Sequence, residues 1–283
     1  MNCLRKNIEP FPNGSEQGTY QTCVGPVDAP LASGSIRLLE WDTRFFGVPY
    51  ARIERLQASG EHVQRRDNTT RVISDLLVWS RAQGIRFIAA KIQADPALAQ
   101  ALEQNGFYLT DTAMGFTRQG TGKLSRPELP DGYAFQVNPG NAETIAVAFN
   151  QLFWDGRFHH DPAIATATAD RLWQEAVKNQ LSGDADLALL LTHKKKPVGL
   201  VTIAKTSGAG NRGCVFIVGL LESHRHKGLG RILLAEAVNL ASERFEQLEI
   251  ETSTYNLPAI RLYLSVGFIP VEARLSFHCW QGN

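Results

Sequence analysis

The stretch from Cys214 to Phe268 limits what this chain can fold into more than any other part of it. It reads as strand, glycine loop, helix, strand, loop, helix. An apolar run, Cys214 to Leu221, stops at Arg225-His226-Lys227-Gly228-Leu229-Gly230, and an amphipathic run follows from Arg231 to Phe245. A strand that halts in a glycine turn and restarts as a helix leaves backbone N–H groups unpaired at the helix start. Those donors and the positive end of the helix dipole make an anion site. Gly228 and Gly230 allow the backbone to approach a phosphate without Cβ interference, and Arg225, Lys227 and Arg231 add positive charge. A Walker A loop is absent, and Leu233 stands where a dinucleotide fingerprint needs its last glycine. The structural alternative is a tight strand-to-helix turn with no ligand.

A second pattern follows the strand Gln247 to Thr252. It runs Asn256-Leu257-Pro258-Ala259-Ile260-Arg261-Leu262-Tyr263-Leu264-Ser265-Val266-Gly267-Phe268. Asn256 suits a helix cap, Pro258 the first turn, and Gly267 a left-handed end. Tyr263 taken alone is a core aromatic with a satisfied hydroxyl.

The two patterns, Q/R-x-x-G-x-G/A and N-x-x-A-x-x-x-Y-x-x-x-G-F, stand in order, separated by one helix and one strand. Together they resemble the GCN5-related N-acetyltransferases (GNAT). The resemblance implies an α/β GNAT fold, a mixed central sheet flanked by helices, with acetyl-CoA as co-substrate. It implies that the strand ending at Leu220-Leu221 splays from the next strand. The cofactor contacts it implies are Val218, Leu220, Leu221, Arg225, His226, Lys227, Gly228, Leu229, Gly230, Arg231 and Asn256. The Leu220 N–H would face the thioester carbonyl, and Tyr263 would be the general acid for the departing thiolate. A phenol of pKa about 10 can do this once water is excluded. The base is open: Glu249 and Glu251 share one strand face and are equally readable as solvated or paired carboxylates.

Composition sets outer bounds. A chain of 283 residues allows one large or two modest domains, and an apolar fraction of 43 % allows buried cores. A net charge of +1 gives no case for nucleic acid or an anionic membrane surface. No apolar run approaches a membrane span, and the N-terminus has no signal-peptide core. The four cysteines form no CxxC pair and have no histidines at zinc spacing. The expectation is a soluble, reduced, cytoplasmic protein with no metal.

Four segments are expected. Residues 1–34 read as a poorly ordered tail, with order beginning at Ile36. Residues 35–118 read as a truncated GNAT-like α/β domain. Its Pro96-Ala97-Leu98 … Asn105-Gly106-Phe107 repeats the step at Pro258 to Phe268, but it has no phosphate loop and carries Leu102 where the later copy has Tyr263. Residues 119–131 read as a linker, and 132–283 as the acetyl-CoA-binding domain. In the latter, Asn141 is expected to cap a helix reaching about Trp154.

Two segments suggest an acceptor site. Trp41-Asp42-Thr43-Arg44-Phe45-Phe46-Gly47 reads as an aromatic turn, a hydrophobic anchor or the lip of a pocket. With Leu39 it resembles the L-x-W-D-x-x-F-F-G opening of bacterial dTDP-4-amino-4,6-dideoxygalactose (dTDP-fucosamine) acetyltransferases. Arg157-Phe158-His159-His160-Asp161-Pro162 resembles their R-F-x-x-D-P segment. The resemblance implies Trp41, Asp42, Phe45, Phe46, Arg157, Phe158 and Asp161 as substrate contacts. Arg157 reads equally as a surface ion pair, and adjacent His159 and His160 diverge too much to chelate a metal. The function implied is acetylation of the amine of a nucleotide-linked amino-dideoxy sugar, with a homodimer left open. The alternatives are a GNAT enzyme for another small amine or a peptide, and a non-catalytic coenzyme A or nucleotide-binding module.

Overall fold

The computed structural model describes residues 2–7, 18–119, 123–125, 127–149, 152, 155–206 and 210–282. In chain order the strands are β1 (Asn2–Asn7), β2 (Thr19–Val24), β3 (Ala32–Leu38), β4 (Tyr50–Ala58), β5 (Phe87–Gln93), β6 (Tyr108–Gln119), β7 (Tyr133–Val137), β8 (Leu187–His193), β9 (Lys196–Lys205), β10 (Arg212–Leu220), β11 (Gln247–Ser253) and β12 (Ile269–Trp280). The helices are α1 (Glu40–Phe46), α2 (His62–Ala82), α3 (Pro96–Gln104), α4 (Ala142–Ala148), α5 (Thr166–Asn179), α6 (Leu229–Ala241) and α7 (Leu257–Ser265). Two compact units result: Met1–Thr112 together with Ala273–Asn283, and Ala113–Glu272. Among the described residues no helix is long and apolar enough to cross a membrane.

In the first unit the strand order is β1-β2-β3-β4-β5-β12, with only β4 and β5 parallel. Its core includes Val72, Ile73, Leu76 and Leu77 of α2, set against Ile36, Ile53, Ile88 and Phe277 of the sheet. That α2 face follows directly from helical spacing. Residues 1–34 were expected to be a poorly ordered tail; the structure corrects this with strands β1 and β2 and the first three residues of β3, while residues 1 and 8–17 lie outside the described residues. The alternation was hidden because the inward positions of β2 are Tyr20, Thr22 and Val24. The polar member, Thr22, is buried and bonds Asp75 at 3.2 Å. The aromatic turn is also corrected: Glu40–Phe46 is a short helix closed by Gly47 at φ +69°.

The expected repeat between α3 and α7 holds in atomic detail. Asp95 accepts hydrogen bonds from the Ala97 and Leu98 N–H groups, Pro96 opens the first turn, and Gly106 follows at φ +81°. Asn256 accepts from the Ala259 N–H at 3.3 Å, Pro258 lies in the first turn, and Gly267 follows at φ +86°.

In the second unit the order is β6-β11-β10-β9-β8-β7, and only β10 and β11 are parallel. One face carries Leu189, Leu191, Val201, Ile203 and Val215 against α6 and α7. The other carries Leu190, Leu200 and Ile217 against Ile145, Phe149, Leu152 and Val177. The alternation along β8 and β9 thus serves two cores, as strands covered on both faces require. α4 stops at Ala148, short of the expected Trp154, which lies outside the described residues, as does Phe153 beside it. Asn141 precedes α4 in a left-handed conformation and its side chain makes no capping bond, contrary to expectation.

Candidate active site

The site is built on an interruption. β10 pairs with β11 over only four residue pairs, Arg212↔Gln247 to Val215↔Ile250. Beyond Val215, β10 keeps its other partner, β9, as far as Leu220↔Gly199. β11 likewise stays on β6 to Ser253↔Ala113. The two parallel strands therefore separate while each remains anchored on its outer side. A β-bulge between Val215 and Ile217 marks the point of separation. An extra residue reverses the in–out parity of everything after it. Val215 accordingly faces one core and Ile217 the other.

The alternation of backbone groups places donors in this opening. Leu221 donates its N–H to Val198 on β9 at 2.9 Å. The N–H groups of Leu220 and Val218, one and three residues earlier, therefore turn away from β9. Leu220 also offers its carbonyl, which accepts from Arg225 Nε at 2.9 Å. That bond folds the arginine back over the strand end.

After Leu221 the chain makes one 3-10 turn, Glu222–His224, and enters the glycine loop. His226 and Gly228 both have left-handed backbones, φ +61° and +74°. This reverses the chain, and α6 begins at Leu229, two residues before the expected Arg231. A Cβ at Gly228 would meet no atom within 4 Å, so the space over the helix start is open. Lys227 Nζ donates to the Ser223 carbonyl at 2.8 Å and remains exposed. A Cβ at Gly230 would touch Leu220 and Leu262 at ordinary contact distance. At the base of the loop His224 Nδ1 shares a hydrogen bond of 2.8 Å with the Tyr133 hydroxyl. Desolvation, with Lys227 and His193 nearby, holds that imidazole below its usual pKa.

Tyr263 comes up from α7 into the core, 5 % exposed, edge-on to Phe116 at 5.7 Å. Burial pushes its phenol well above the usual pKa, and a hydrogen bond with Thr252 opposes part of that shift. Thr252 Oγ1 also accepts from Asn256 Nδ2 at 3.0 Å. One threonine hydroxyl at the end of β11 therefore joins Asn256 and Tyr263. Sequence reasoning passed over Thr252, although it lies two residues beyond Ile250 and so on the same strand face.

The 155–162 segment lines the same unit. The Arg157 guanidinium sits 4.7 Å above the Phe158 ring, and Phe158 is buried. Asp161 is 1 % exposed and accepts from the Ala163 N–H at 2.9 Å, which shapes the loop from inside. His159 meets Asp170 at 3.0 Å and His160 meets Asp155, so the two rings engage different carboxylates. Among the described residues no three His, Cys, Asp or Glu side chains converge as a metal site would require. Of the carboxylates considered as base, Glu249 is held by Arg212 at 2.9 Å, on the part of β11 still paired with β10.

Trp41, Asp42, Phe45 and Phe46 belong to the first unit. Trp41 stacks on Phe45, Phe45 meets Phe46 edge-on, and Phe46 stacks on Tyr50. The series anchors α1 and leaves Trp41 43 % exposed. The first unit repeats the strand opening, since β4 and β5 pair only from Tyr50↔Phe87 to Ile53↔Ala90. Its loop differs: a Cβ at Gly60, before α2, would lie 2.9 Å from Gln64 Oε1. The space that is open above Gly228 is occupied there.

Comparison with known proteins agrees with this architecture. The profile of the Acetyltransferase (GNAT) family matches residues 147–268. The spore coat polysaccharide biosynthesis protein SpsD of Bacillus subtilis (strain 168) is 23 % identical over 147 residues. That match covers 51 % of this chain and 50 % of SpsD, so the likeness spans about half of each protein. Among solved structures, a GCN5-related N-acetyltransferase from Sphaerobacter thermophilus superposes with a TM-score of 0.63 at 16 % identity, covering 92 % of this chain and 80 % of that one. A tandem GNAT protein from the clavulanic acid biosynthesis pathway gives 0.59 at 15 %, covering 94 % and 84 %. At such identities the structures speak for the fold alone. From the opened strand pair through the glycine loop to Gly267-Phe268, it is residues 147–268 that match the GNAT acetyltransferase family, whose members use acetyl-CoA as co-substrate.

Proposed function

We propose that the protein transfers an acetyl group from acetyl-CoA to the primary amine of a nucleotide-linked amino-dideoxy sugar resembling dTDP-4-amino-4,6-dideoxygalactose. The observation that carries this reading is the early end of the β10–β11 ladder beside an open glycine loop. The residues present fit the donor. Backbone N–H groups at the start of α6, with Arg225, Lys227 and Arg231, would hold the pyrophosphate. The N–H groups of Val218 and Leu220 and the Asn256 side chain would hold the pantetheine as an added strand does. Bound acetyl-CoA supplies an activated acyl group and a good leaving thiolate.

The chain's own residues then have distinct tasks. The Leu220 N–H polarises the thioester carbonyl as negative charge grows on its oxygen. Tyr263 stays protonated across the neutral range because burial disfavours its phenolate, and it donates to the leaving sulfur. Thr252 fixes the direction of that hydroxyl. Within the second unit Arg157 is proposed as an acceptor contact, on a loop that the buried Phe158 and Asp161 shape from inside. The first unit is proposed to bind no coenzyme A, because Gln64 fills the place where a phosphate would enter. The polysaccharide-related name of SpsD favours a sugar acceptor, and cytoplasmic localisation follows from that choice of substrates.

The test is to incubate the full chain with acetyl-CoA and dTDP-4-amino-4,6-dideoxygalactose. Thiol release and a product heavier by one acetyl group are expected. Arg157→Ala should raise the acceptor KM and leave acetyl-CoA affinity unchanged. Turnover of peptides or other amines with none of this sugar would overturn the substrate reading.

A further inference from the structure

Asp155, His160 and Tyr255 form a cluster with no part in the reading above. His160 Nε2 is hydrogen-bonded to an Asp155 carboxylate oxygen, and Nδ1 faces the Tyr255 hydroxyl at 3.5 Å. A carboxylate only accepts, so Nε2 carries a proton, and in the neutral ring the lone pair lies on Nδ1. The His160 and Asp155 side chains are 35 % and 29 % exposed, which leaves the ring within reach of solvent. Among the described contacts His160 meets Asp155 from its own segment and Tyr255 from the β11–α7 connection, whereas His159 turns to Asp170.

The position of the cluster is more telling than its composition. Leu152, three residues before Asp155, packs on Gly219 in the stretch of β10 that has left β11, so closely that a Cβ at Gly219 would overlap it. Tyr255 directly precedes Asn256, whose amide meets Thr252 and through it Tyr263. Leu152 thus meets one separated strand, and His160 faces Tyr255 just beyond the end of the other.

We propose that His160 is the general base that takes the proton from the acceptor amine, with Asp155 as its positioning residue. The assignment rests on the acetyl-transfer reading above. An amine held as an ammonium ion cannot attack a thioester. His160 Nδ1 accepts one proton, which passes to solvent through the exposed side of the ring. The neutral amine then forms the C–N bond as the C–S bond breaks. Tyr263 gives its proton to sulfur and is restored by the second proton, shed from the new amide nitrogen. Two protons leave the ammonium, one to water and one to the thiol, and no further reactant is needed. Asp155 stabilises the imidazolium formed in the first step.

The test measures thiol release by the full chain from acetyl-CoA. The acceptors are dTDP-4-amino-4,6-dideoxygalactose and a panel of peptide N-termini, polyamines and aminoglycosides, followed against pH for the wild type, His160→Gln and Asp155→Asn. Calorimetry with acetyl-CoA checks that each variant is folded. His160→Gln should lose about 10²–10⁴-fold in kcat near neutral pH. It should regain most of that loss above the pKa of the amine, where the acceptor arrives already neutral. Asp155→Asn should lose less, and in kcat rather than in acetyl-CoA affinity, since it removes the group that orients the ring and not the base itself. A variant within twofold of wild type, or a loss equal at every pH, would overturn the base assignment and leave the acetyltransferase reading standing. Absence of thiol release with every amine by the wild type would overturn that reading and the assignment together.

Discussion

Replacing Tyr263 by phenylalanine removes one oxygen and keeps the ring that packs against Phe116 and Phe268. The lost hydrogen bond runs to Thr252, whose hydroxyl retains the Asn256 amide at 3.0 Å. No buried acceptor is orphaned, so the stability cost is one net hydrogen bond, about 0.5–1.5 kcal/mol. For a chain of this size that lowers Tm by roughly 1–5 °C. Loss of a positioned proton donor costs far more in rate, about 10²–10⁴-fold, or roughly 3–5 kcal/mol of barrier. The deficit should fall on kcat rather than on KM, because the interaction matters as the thiolate leaves. Acetyl-CoA affinity by calorimetry should be unchanged, and an acetyl donor with a better leaving thiolate should suffer less. Linkage adds a check on the buried phenol. Its folded pKa is raised, so its stabilising effect is complete below the unfolded value of about 10 and is lost as pH rises above it. Tyr263→Phe should remove that part of the alkaline loss, up to about 1.4 kcal/mol per pH unit. The part from buried Cys279, whose thiol is also raised, should remain. Near-normal turnover in Tyr263→Phe, or equal losses with both donors, would refute the general-acid role.

Two substitutions test the scaffold. Gly228→Val forces a β-branched residue to φ +74° and fills open space above α6, so acetyl-CoA affinity should fall at least tenfold with the fold kept; unchanged affinity in calorimetry would remove the loop from the donor site. Gly219→Ala drives a methyl into Leu152 and should destabilise by about 1–3 kcal/mol in urea titration; combining it with Leu152→Ala should recover part of the loss, and simple additivity would refute the contact.

The parts readable from sequence were those where one residue type answers one backbone need. Gly267 at a positive φ, Pro258 in a first turn and Asn256 at a cap are local requirements with few solutions. The glycine turn before α6 was legible for the same reason, with Gly228 at φ +74°. The opening beside it had no such sign in the residues themselves, because its cause is a bulge at Phe216, an ordinary strand residue that is 49 % exposed. β2 escaped because a threonine that bonds Asp75 occupies an inward position. His160 was weighed only as a metal ligand. Its partners are five residues back along an irregular segment and on a different connection, and that pairing exists only once the chain has folded.

The bulge has a consequence for the protein before any donor binds. From Phe216 to Leu220 the strand presents backbone groups with no ladder on one side, inside a sheet rather than at its rim. Such a stretch invites any extended chain of suitable length, including a neighbouring copy, as exposed strand edges do. The donor would act as the missing strand and cap it. Amides of Val218 and Leu220 should therefore exchange with solvent readily in the free protein and slow sharply when acetyl-CoA is added. At about a hundredfold excess over Kd the whole domain gains roughly 2.7 kcal/mol from binding. The donor would then be a structural complement of the sheet as well as a reactant, and resistance to aggregation should follow its concentration.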